Sequence, residues 1–371
     1  MKAALDMESP PVLEFKPTLP EVLGRLKRWI HRQAPGEIFA VFQIRTRALE
    51  EFAGRYPPGY CPPPALEDRL DFWESHLAER AALEDDSIPA AYLSEFDQGL
   101  YGALVGGNPQ YMAHPENGWI SSMVHPILQD RFQLESLRFD PAGPVFQQYT
   151  EWLDTFVARA AGRFAISHFI LINGMNFLFE LVGATQSYLL LYEDPEWVRR
   201  AFNLAYEVNL AVQEAFSEHV PLLAGGTASN MVQWAPGRVI SESVDPFHMT
   251  RREHFELWGR PVLERIFAHF DGAVLHLHGN GRHLLEAVAD LPKLRAIFLG
   301  DDRGFPPAVD ELPRLQKISG DLPLVVQVTW DRFQEKLFRR ELPGGVLYHV
   351  TDCPGIGEAN RLMEKVRAYR Q

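Results

Sequence analysis

Short apolar segments alternate with amphipathic segments along most of the chain. Segments such as Ile38–Ile44 and Leu294–Leu299 are almost entirely apolar, and apolar runs of this length predict strands that are buried on both faces. Between them, apolar residues recur every three or four positions, a spacing typical of helices that cover a sheet. Strands are predicted near residues 40, 90, 168, 224, 275, 297, 325 and 348.

This alternation predicts an α/β fold. Strands and helices that alternate with short connections form a parallel sheet with its helices outside. About eight predicted strands favour a single closed (β/α)8 TIM barrel over an open sheet. No Gly-x-Gly-x-x-Gly motif follows the first strand, so the pattern does not favour a dinucleotide-binding sheet.

Two regions depart from the alternation. Helical spacing over 17–33 predicts an N-terminal helix, which makes an N-terminal extension of residues 1–36. Residues 112–144 mix polar and aromatic side chains with little periodicity and predict an insertion over one face of the barrel. The strand predicted over 164–173 contains His168, which we interpret as a buried core histidine. We expect the whole chain, 1–371, to form one domain.

Composition narrows the class of protein. Hydrophobic residues make up 46% and charged residues 23%, which is typical of a soluble globular protein with a large core. The formal net charge is −13 with no cluster of Lys and Arg, which argues against a nucleic-acid partner. The chain shows no signal-peptide pattern and no apolar run long enough for a membrane. Because Cys61 and Cys353 are the only cysteines, we expect a cytoplasmic protein without a disulfide framework.

The segment Gly272–Gly281 is the strongest candidate for chemistry. It is a short apolar strand that ends in His276-Leu277-His278 and runs into glycines. Strand side chains alternate between faces, so the two imidazoles share one face at the carboxyl end of the strand. In a parallel barrel the functional site lies at these ends, and paired imidazoles there suit a metal or an acid–base pair.

The last predicted strand offers a third metal ligand. Alternation places His349, Thr351 and Cys353 on one face, so that Cys353 is expected to converge with His276 and His278. Two imidazoles and a thiolate form a three-ligand zinc set that leaves a fourth position for substrate. The structural alternative is that the histidines are hydrogen-bonded pocket residues and that Cys353 is a small buried apolar residue.

Other polar residues at strand ends and helix starts are further candidates. Asp245 precedes a predicted helix and either binds substrate or orders its loop. Asp301 belongs to an acidic pair that is either a general base or solvated, and Glu180 lies in an apolar helix where a carboxylate faces a pocket or pairs with Arg. The candidate substrate- or cofactor-binding residues are Asn173, Asn176, Ser229, Asn230, Asn280 and His349.

Several segments from residue 144 onward carry a family resemblance. They are Gly183–Gln186, Asp194–Val198, Asp245–Phe255, His276–Asn280 and Cys353–Ile356. Together they resemble the uroporphyrinogen decarboxylase superfamily, and in particular its zinc- and corrinoid-dependent methyltransferase branch. The resemblance implies a single eight-stranded barrel with its site at the carboxyl ends of the strands.

The resemblance also implies a cofactor and a partner. In the methyltransferase branch, zinc is held by a His-x-Cys motif and by a distant Cys, and it activates a thiol acceptor against a methyl-corrinoid. By position, His276 takes the first role, His278 stands in place of the first cysteine, and Cys353 takes the third role. The expected activity is methyl transfer to a small-molecule substrate, with the corrinoid carried on a partner protein.

Two alternatives remain open. The decarboxylase branch binds carboxylated substrates through an Arg-rich early motif, and only Ala53–Tyr56 resembles the tail of that motif. The second interpretation is therefore a decarboxylase-like lyase that acts on a carboxylated substrate without zinc. The third is a non-catalytic barrel that binds a small molecule. The oligomeric state is left open, with a homodimer as one option.

Overall fold

The computed structural model describes residues 12–167 and 170–371. Residues 1–11 of the predicted extension and His168 of the predicted strand lie outside the described residues. In the described part of the chain no helix is both long and apolar enough to cross a membrane.

Six parallel strands form the central sheet. Within the described residues the strands are β1 (Ile38–Ile44), β2 (Gly59–Cys61), β3 (Ala90–Tyr92), β4 (Pro109–His114), β5 (Trp119–Val124), β6 (Ala165–Ser167), β7 (Gly226–Ser229), β8 (Gln233–Pro236), β9 (Val239–Ser243), β10 (Gly272–Leu277), β11 (Leu294–Leu299), β12 (Leu324–Thr329) and β13 (Val346–Cys353). The order in the central sheet is β1-β13-β12-β11-β10-β9, and every neighbouring pair is parallel. The α/β class predicted from the alternating pattern is confirmed.

Helices connect and cover these strands. They are α1 (Leu19–Ile30), α2 (Arg47–Arg55), α3 (Leu66–Glu79), α4 (Gln98–Ala103), α5 (Pro144–Ala160), α6 (Met175–Val182), α7 (Ala184–Glu193), α8 (Pro195–His219), α9 (Arg252–His254), α10 (Arg260–Phe267), α11 (Leu285–Ala289), α12 (Ala308–Ser319), α13 (Trp330–Phe338) and α14 (Ile356–Ala368). The start of α8 shows how local sequence sets a boundary. The Asp194 carboxylate accepts a hydrogen bond from the Trp197 amide, and Pro195 occupies the first turn, where no amide donor is needed.

The two faces of the sheet are buried differently. On β10, Ala273, Leu275 and Leu277 pack in a cluster with the surrounding helices, which we call the helix-face cluster. Val274 belongs to a second cluster with apolar residues of β1, β11, β12, β13 and α1, which we call the cavity-face cluster. His276 follows Val274 on this second face because strand side chains alternate. The imidazole is thus directed away from the helices of the helix-face cluster.

Helix α1 packs onto the cavity-face cluster. Its side chains Leu19, Val22 and Leu26 are fully buried, and each such burial contributes roughly 1.5–3 kcal/mol to stability. Trp29 donates a hydrogen bond to the Gly345 carbonyl at the start of β13. The N-terminal helix predicted over 17–33 therefore belongs to the core.

A complete eight-stranded barrel is not shown within the described residues. Strands β3 and β6 form a separate parallel pair, and one bridge between Ile170 and Ser241 links the chain after β6 to β9. On the side of β1 away from β13, two carboxylates accept the hydrogen bonds that a neighbouring strand would otherwise accept. Asp85 accepts from the Phe42 amide at 2.8 Å, and Asp86 accepts from the Ala40 amide at 2.9 Å. These carboxylates satisfy backbone donors that a neighbouring strand would otherwise use.

Two predicted regions take other forms. The strand predicted near residue 224 is instead an antiparallel hairpin of β7 and β8, and the parallel strand is β9, about fifteen residues later. The hairpin buries Met231 and Trp234 in the cavity-face cluster, so its apolar residues resemble those of a central strand. In the region predicted as an insertion over 112–144, β4 pairs with both β5 and β2, and the three strands form an antiparallel sheet.

Candidate metal centre

A cavity of about 440 Å³ lies at the carboxyl ends of the parallel strands. Its walls include residues of β1, β10, β11 and β13 together with the β7–β8 hairpin. Much of its lining is polar, including the side chains of Asn230, Gln233, His276, His278, Gln327 and His349. A cavity of this size with a few converging polar groups is the usual form of a small-molecule site.

Two imidazoles stand side by side on this wall. The ring centroids of His276 and His278 are 4.3 Å apart, as their spacing of two residues at the end of a strand predicts. Burial, with a further contribution from His278, lowers the pKa of His276 to about 3. His276 is therefore neutral at physiological pH, and the neutral imidazole is the form that binds metal ions.

Asp245 joins the two histidines through the register of neighbouring strands. Ser243 on β9 pairs with His276 on β10, and Asp245 follows two residues later in a short 3₁₀ helix, Asp245–Met249. Asp245 Oδ2 lies 3.7 Å from His278 Nε2. One ligand atom from each of Asp245, His276 and His278 lies within 4.8 Å of the others, and no other such group occurs in residues 12–167 and 170–371.

Asp302 orients His278 through the ring nitrogen that faces away from Asp245. Its Oδ1 lies 2.9 Å from His278 Nδ1, and its Oδ2 accepts from the Asn280 amide at 3.0 Å. Burial raises the pKa of Asp302, but the Asn280 amide and His278 outweigh this effect, and the pKa is lowered. The ionised carboxylate favours a proton on Nδ1, which leaves Nε2 unprotonated and directed at Asp245.

His248 is a further histidine beside Asp245, and the sequence pattern did not predict its place in the site. Its Nδ1 lies 3.7 Å from Asp245 Oδ1, and burial lowers its pKa to about 4. The ring packs against Gly281, where an added Cβ would lie 2.1 Å from the imidazole. A signal was present in the sequence, because His248 stands three residues after Asp245 and such pairs meet on a helical turn.

The structure does not place Cys353 with the histidines. Cys353 belongs to the helix-face cluster, and its Sγ donates to the Gly355 carbonyl at 3.6 Å. Burial raises its pKa to about 11, so the thiol is protonated at neutral pH. A bulge explains the error in the prediction. Phe42 pairs with Val350 and Ile44 pairs with Cys353, so β13 holds one extra residue, and Asp352 has a φ of 59°. The alternation is inverted beyond this point.

Two other predicted catalytic residues have different surroundings from those expected. Asp301 lines the cavity, but it pairs with Arg282 at 2.8 Å and accepts from the Ala308 amide at the start of α12. Glu180 does not line the cavity and has no arginine partner among the described residues; it is buried against α4 and β5. Burial raises the pKa of Glu180 to about 8, opposed by the backbone amides of Val124 and Gly102.

Only some of the predicted binding residues line the cavity. Ser229, Asn230 and His349 line the cavity. Asn173 and Asn176 instead line a separate recess of about 10 Å³, too small for a ligand. Asn280 does not line the cavity with its side chain, although its backbone amide contacts Asp302.

Two imidazoles and one carboxylate form a ligand set with defined chemistry. Catalytic zinc is commonly held by such a set, with a further position open to water or substrate. Non-haem iron also uses two histidines and one carboxylate. In either case the bound ion acts as a Lewis acid toward a group that enters the cavity.

Comparison with known proteins bears on the fold. No protein-family model and no curated protein matches the chain. Among solved structures, a methyltransferase from Methanosarcina mazei is similar, with a TM-score of 0.59 and 14% sequence identity. The alignment covers 95% of this chain and 98% of that chain. The two proteins share a fold over nearly their whole lengths.

Proposed function

We propose that this protein is a metal-dependent methyltransferase whose zinc ion is held by Asp245, His276 and His278. The observation that carries the proposal is the convergence of these three side chains within 4.8 Å at the wall of the cavity. The similarity in fold to a methyltransferase supports the class of reaction. Membership of the uroporphyrinogen decarboxylase superfamily is part of the same proposal.

The residues present fit the ion. His276 is neutral, and His278 presents the nitrogen opposite the one that Asp302 engages. Asp245 Oδ1 is buried and has no hydrogen-bond partner among the described residues. Its other oxygen, Oδ2, lies 3.7 Å from His278 Nε2. A carboxylate with a buried oxygen that accepts no hydrogen bond is costly, and a cation bound to the carboxylate would offset that cost.

Zinc bound there would lower the pKa of a coordinated thiol and make it a nucleophile at neutral pH. The chain itself would orient the substrate in the cavity. Gln233 Nε2 lies 3.4 Å from His349 Nε2, and both side chains face the cavity. In this proposal the methyl donor is a methyl-corrinoid on a partner protein, as the sequence resemblance implies.

Metal analysis tests the proposal. Protein purified without added zinc is expected to contain about one zinc per chain, and His276→Ala and Asp245→Asn are expected to lose most of it. His31→Ala, at an exposed position on the surface, is the matched control and should retain the ion. Cys353→Ala should also retain it, because Cys353 lies on the other face of β13.

Activity provides the second measurement. The zinc-loaded protein is expected to transfer methyl from methylcobalamin to a small thiol, and His276→Ala should abolish the transfer. If the purified protein holds no metal and the His276 and Asp245 variants behave as the wild type does, the zinc mechanism is refuted. The lyase and binding alternatives would then take its place.

A further inference from the structure

Arg80 is a cationic side chain in the cavity that the metal centre does not use. It immediately follows α3 and lines the same cavity as His276 and His349. Within the described residues no salt bridge joins its guanidinium to a carboxylate, and its Nε is buried without a hydrogen-bond partner. Burial lowers the pKa of Arg80, as is expected when a cation lacks a counter-charge.

Asp85 is the carboxylate whose charge affects Arg80, but both of its oxygens bind other groups. Asp85 acts on Arg80 at longer range, but its Oδ1 pairs with Lys16 Nζ at 2.9 Å. Its Oδ2 accepts from the Phe42 amide on the unpaired side of β1. Asp85 therefore accepts a backbone hydrogen bond at the edge of the central sheet. The acidic chain, with a formal net charge of −13, leaves this one cavity cation unneutralised among the described residues.

The groups around Arg80 suit a polar ligand. His76 and His349 also line the cavity, and the charge of Arg80 contributes to lowering the pKa of both, after the larger effect of burial. Glu116, in the β4–β5 turn, and Asp301 are the acidic residues that line the cavity. Asp301 is paired with Arg282, and the Glu116 side chain is 64% exposed. A solvated carboxylate such as that of Glu116 offers little compensation to a half-buried cation.

We propose that Arg80 binds a carboxylate of the substrate, so that the substrate is a small carboxylic acid held in the same cavity as the metal ligands. A guanidinium presents a planar pair of donors that matches the two oxygens of a carboxylate. The inference rests on the proposed function for the role of the metal, but the anion site itself depends on Arg80 alone. Arg80 is thus a substrate-binding residue.

The proposal also predicts the stability of the ligand-free protein. A half-buried cation without a counter-charge destabilises a fold, and residues kept for binding are commonly retained at the expense of stability. Replacing Arg80 by Met, which has a similar stem and no charge, should therefore leave the melting temperature unchanged or raise it. A purely structural arginine would show the opposite response.

Calorimetric titration with succinate tests the site. Arg80→Met is expected to weaken succinate binding at least tenfold, and Arg80→Lys should retain part of the affinity because it keeps the charge. Arg47→Met is the matched control, since the Arg47 side chain is 83% exposed, and it should bind succinate as the wild type does. Succinamide, which has the same skeleton without charge, should bind more weakly than succinate.

Two results would overturn the inference. One is succinate affinity that stays within twofold of the wild type in Arg80→Met, or that is absent from the wild type. The other is a lower melting temperature in ligand-free Arg80→Met combined with equal binding of succinate and succinamide. The same titration with His276→Ala separates the two proposals, because succinate binding at Arg80 should persist when the metal site is lost.

Discussion

Replacing Asp302 by Asn probes the link between the orientation of His278 and metal binding. Asp302 now accepts two hydrogen bonds, from His278 Nδ1 at 2.9 Å and from the Asn280 amide at 3.0 Å. Asparagine has the same volume, but one of the two carboxylate oxygens is replaced by an NH₂ group, which donates and does not accept. If its oxygen stays with the Asn280 amide, its NH₂ faces Nδ1, and the proton of His278 must move to Nε2. Nε2 is the atom directed at Asp245, so this tautomer cannot bind a metal there.

The size of the effect follows from the bond that is lost. A hydrogen bond to a charged group contributes about 1.5–3 kcal/mol. Loss of an outer carboxylate on a metal-binding histidine typically costs 10–100-fold in affinity, which is about 1.4–2.7 kcal/mol. We therefore expect the dissociation constant for zinc to rise by about 10–100-fold in Asp302→Asn.

Chelator competition at neutral pH measures this change directly. Asp301→Asn is the matched control, because Asp301 binds Arg282 and the start of α12 and not a histidine. It should lower the melting temperature and leave zinc affinity within about threefold of the wild type. The reasoning is refuted if Asp302→Asn binds zinc as tightly as the wild type does while Asp301→Asn loses tenfold or more.

Two further predictions concern buried groups. The pKa of Glu180 is raised to about 8, so the folded state retains a proton that the unfolded state releases above its ordinary pKa near 4.5. Stability should therefore fall as pH rises between these values, by up to about 5 kcal/mol, and thermal unfolding of Glu180→Gln should lack this slope. Equal slopes in the two proteins would contradict the assignment. Gly281→Ala should displace His248 and lower the free energy of unfolding by about 1–3 kcal/mol. Gly54→Ala is the control, because an added Cβ there meets nothing within 4 Å, and it should not lower stability. Equal melting temperatures for the two variants would show that the contact between Gly281 and His248 is not tight.

Sequence patterns predicted the elements whose formation depends on residues close together in the chain. The apolar runs of β10, β11, β12 and β13 are long and bounded by turns, so their type could be read directly. The hairpin of β7 and β8 could not be distinguished from a central strand, because its apolar residues are also buried against the sheet. Asp85 and Asp86 could not have been assigned from sequence to the edge of β1. Their role depends on which backbone amides lack a neighbouring strand.

By itself the sequence determined the α/β alternation and the shared face of His276 and His278, because both follow from periods of a few residues along one strand. Only the tertiary structure decided what stands beside the two histidines. The pairing of β9 with β10 brings Asp245 to His278. A bulge at Asp352 turns Cys353 to the helix face. Strand register and a left-handed backbone residue are set by the packed sheet, so neither is visible in the alternation of one strand.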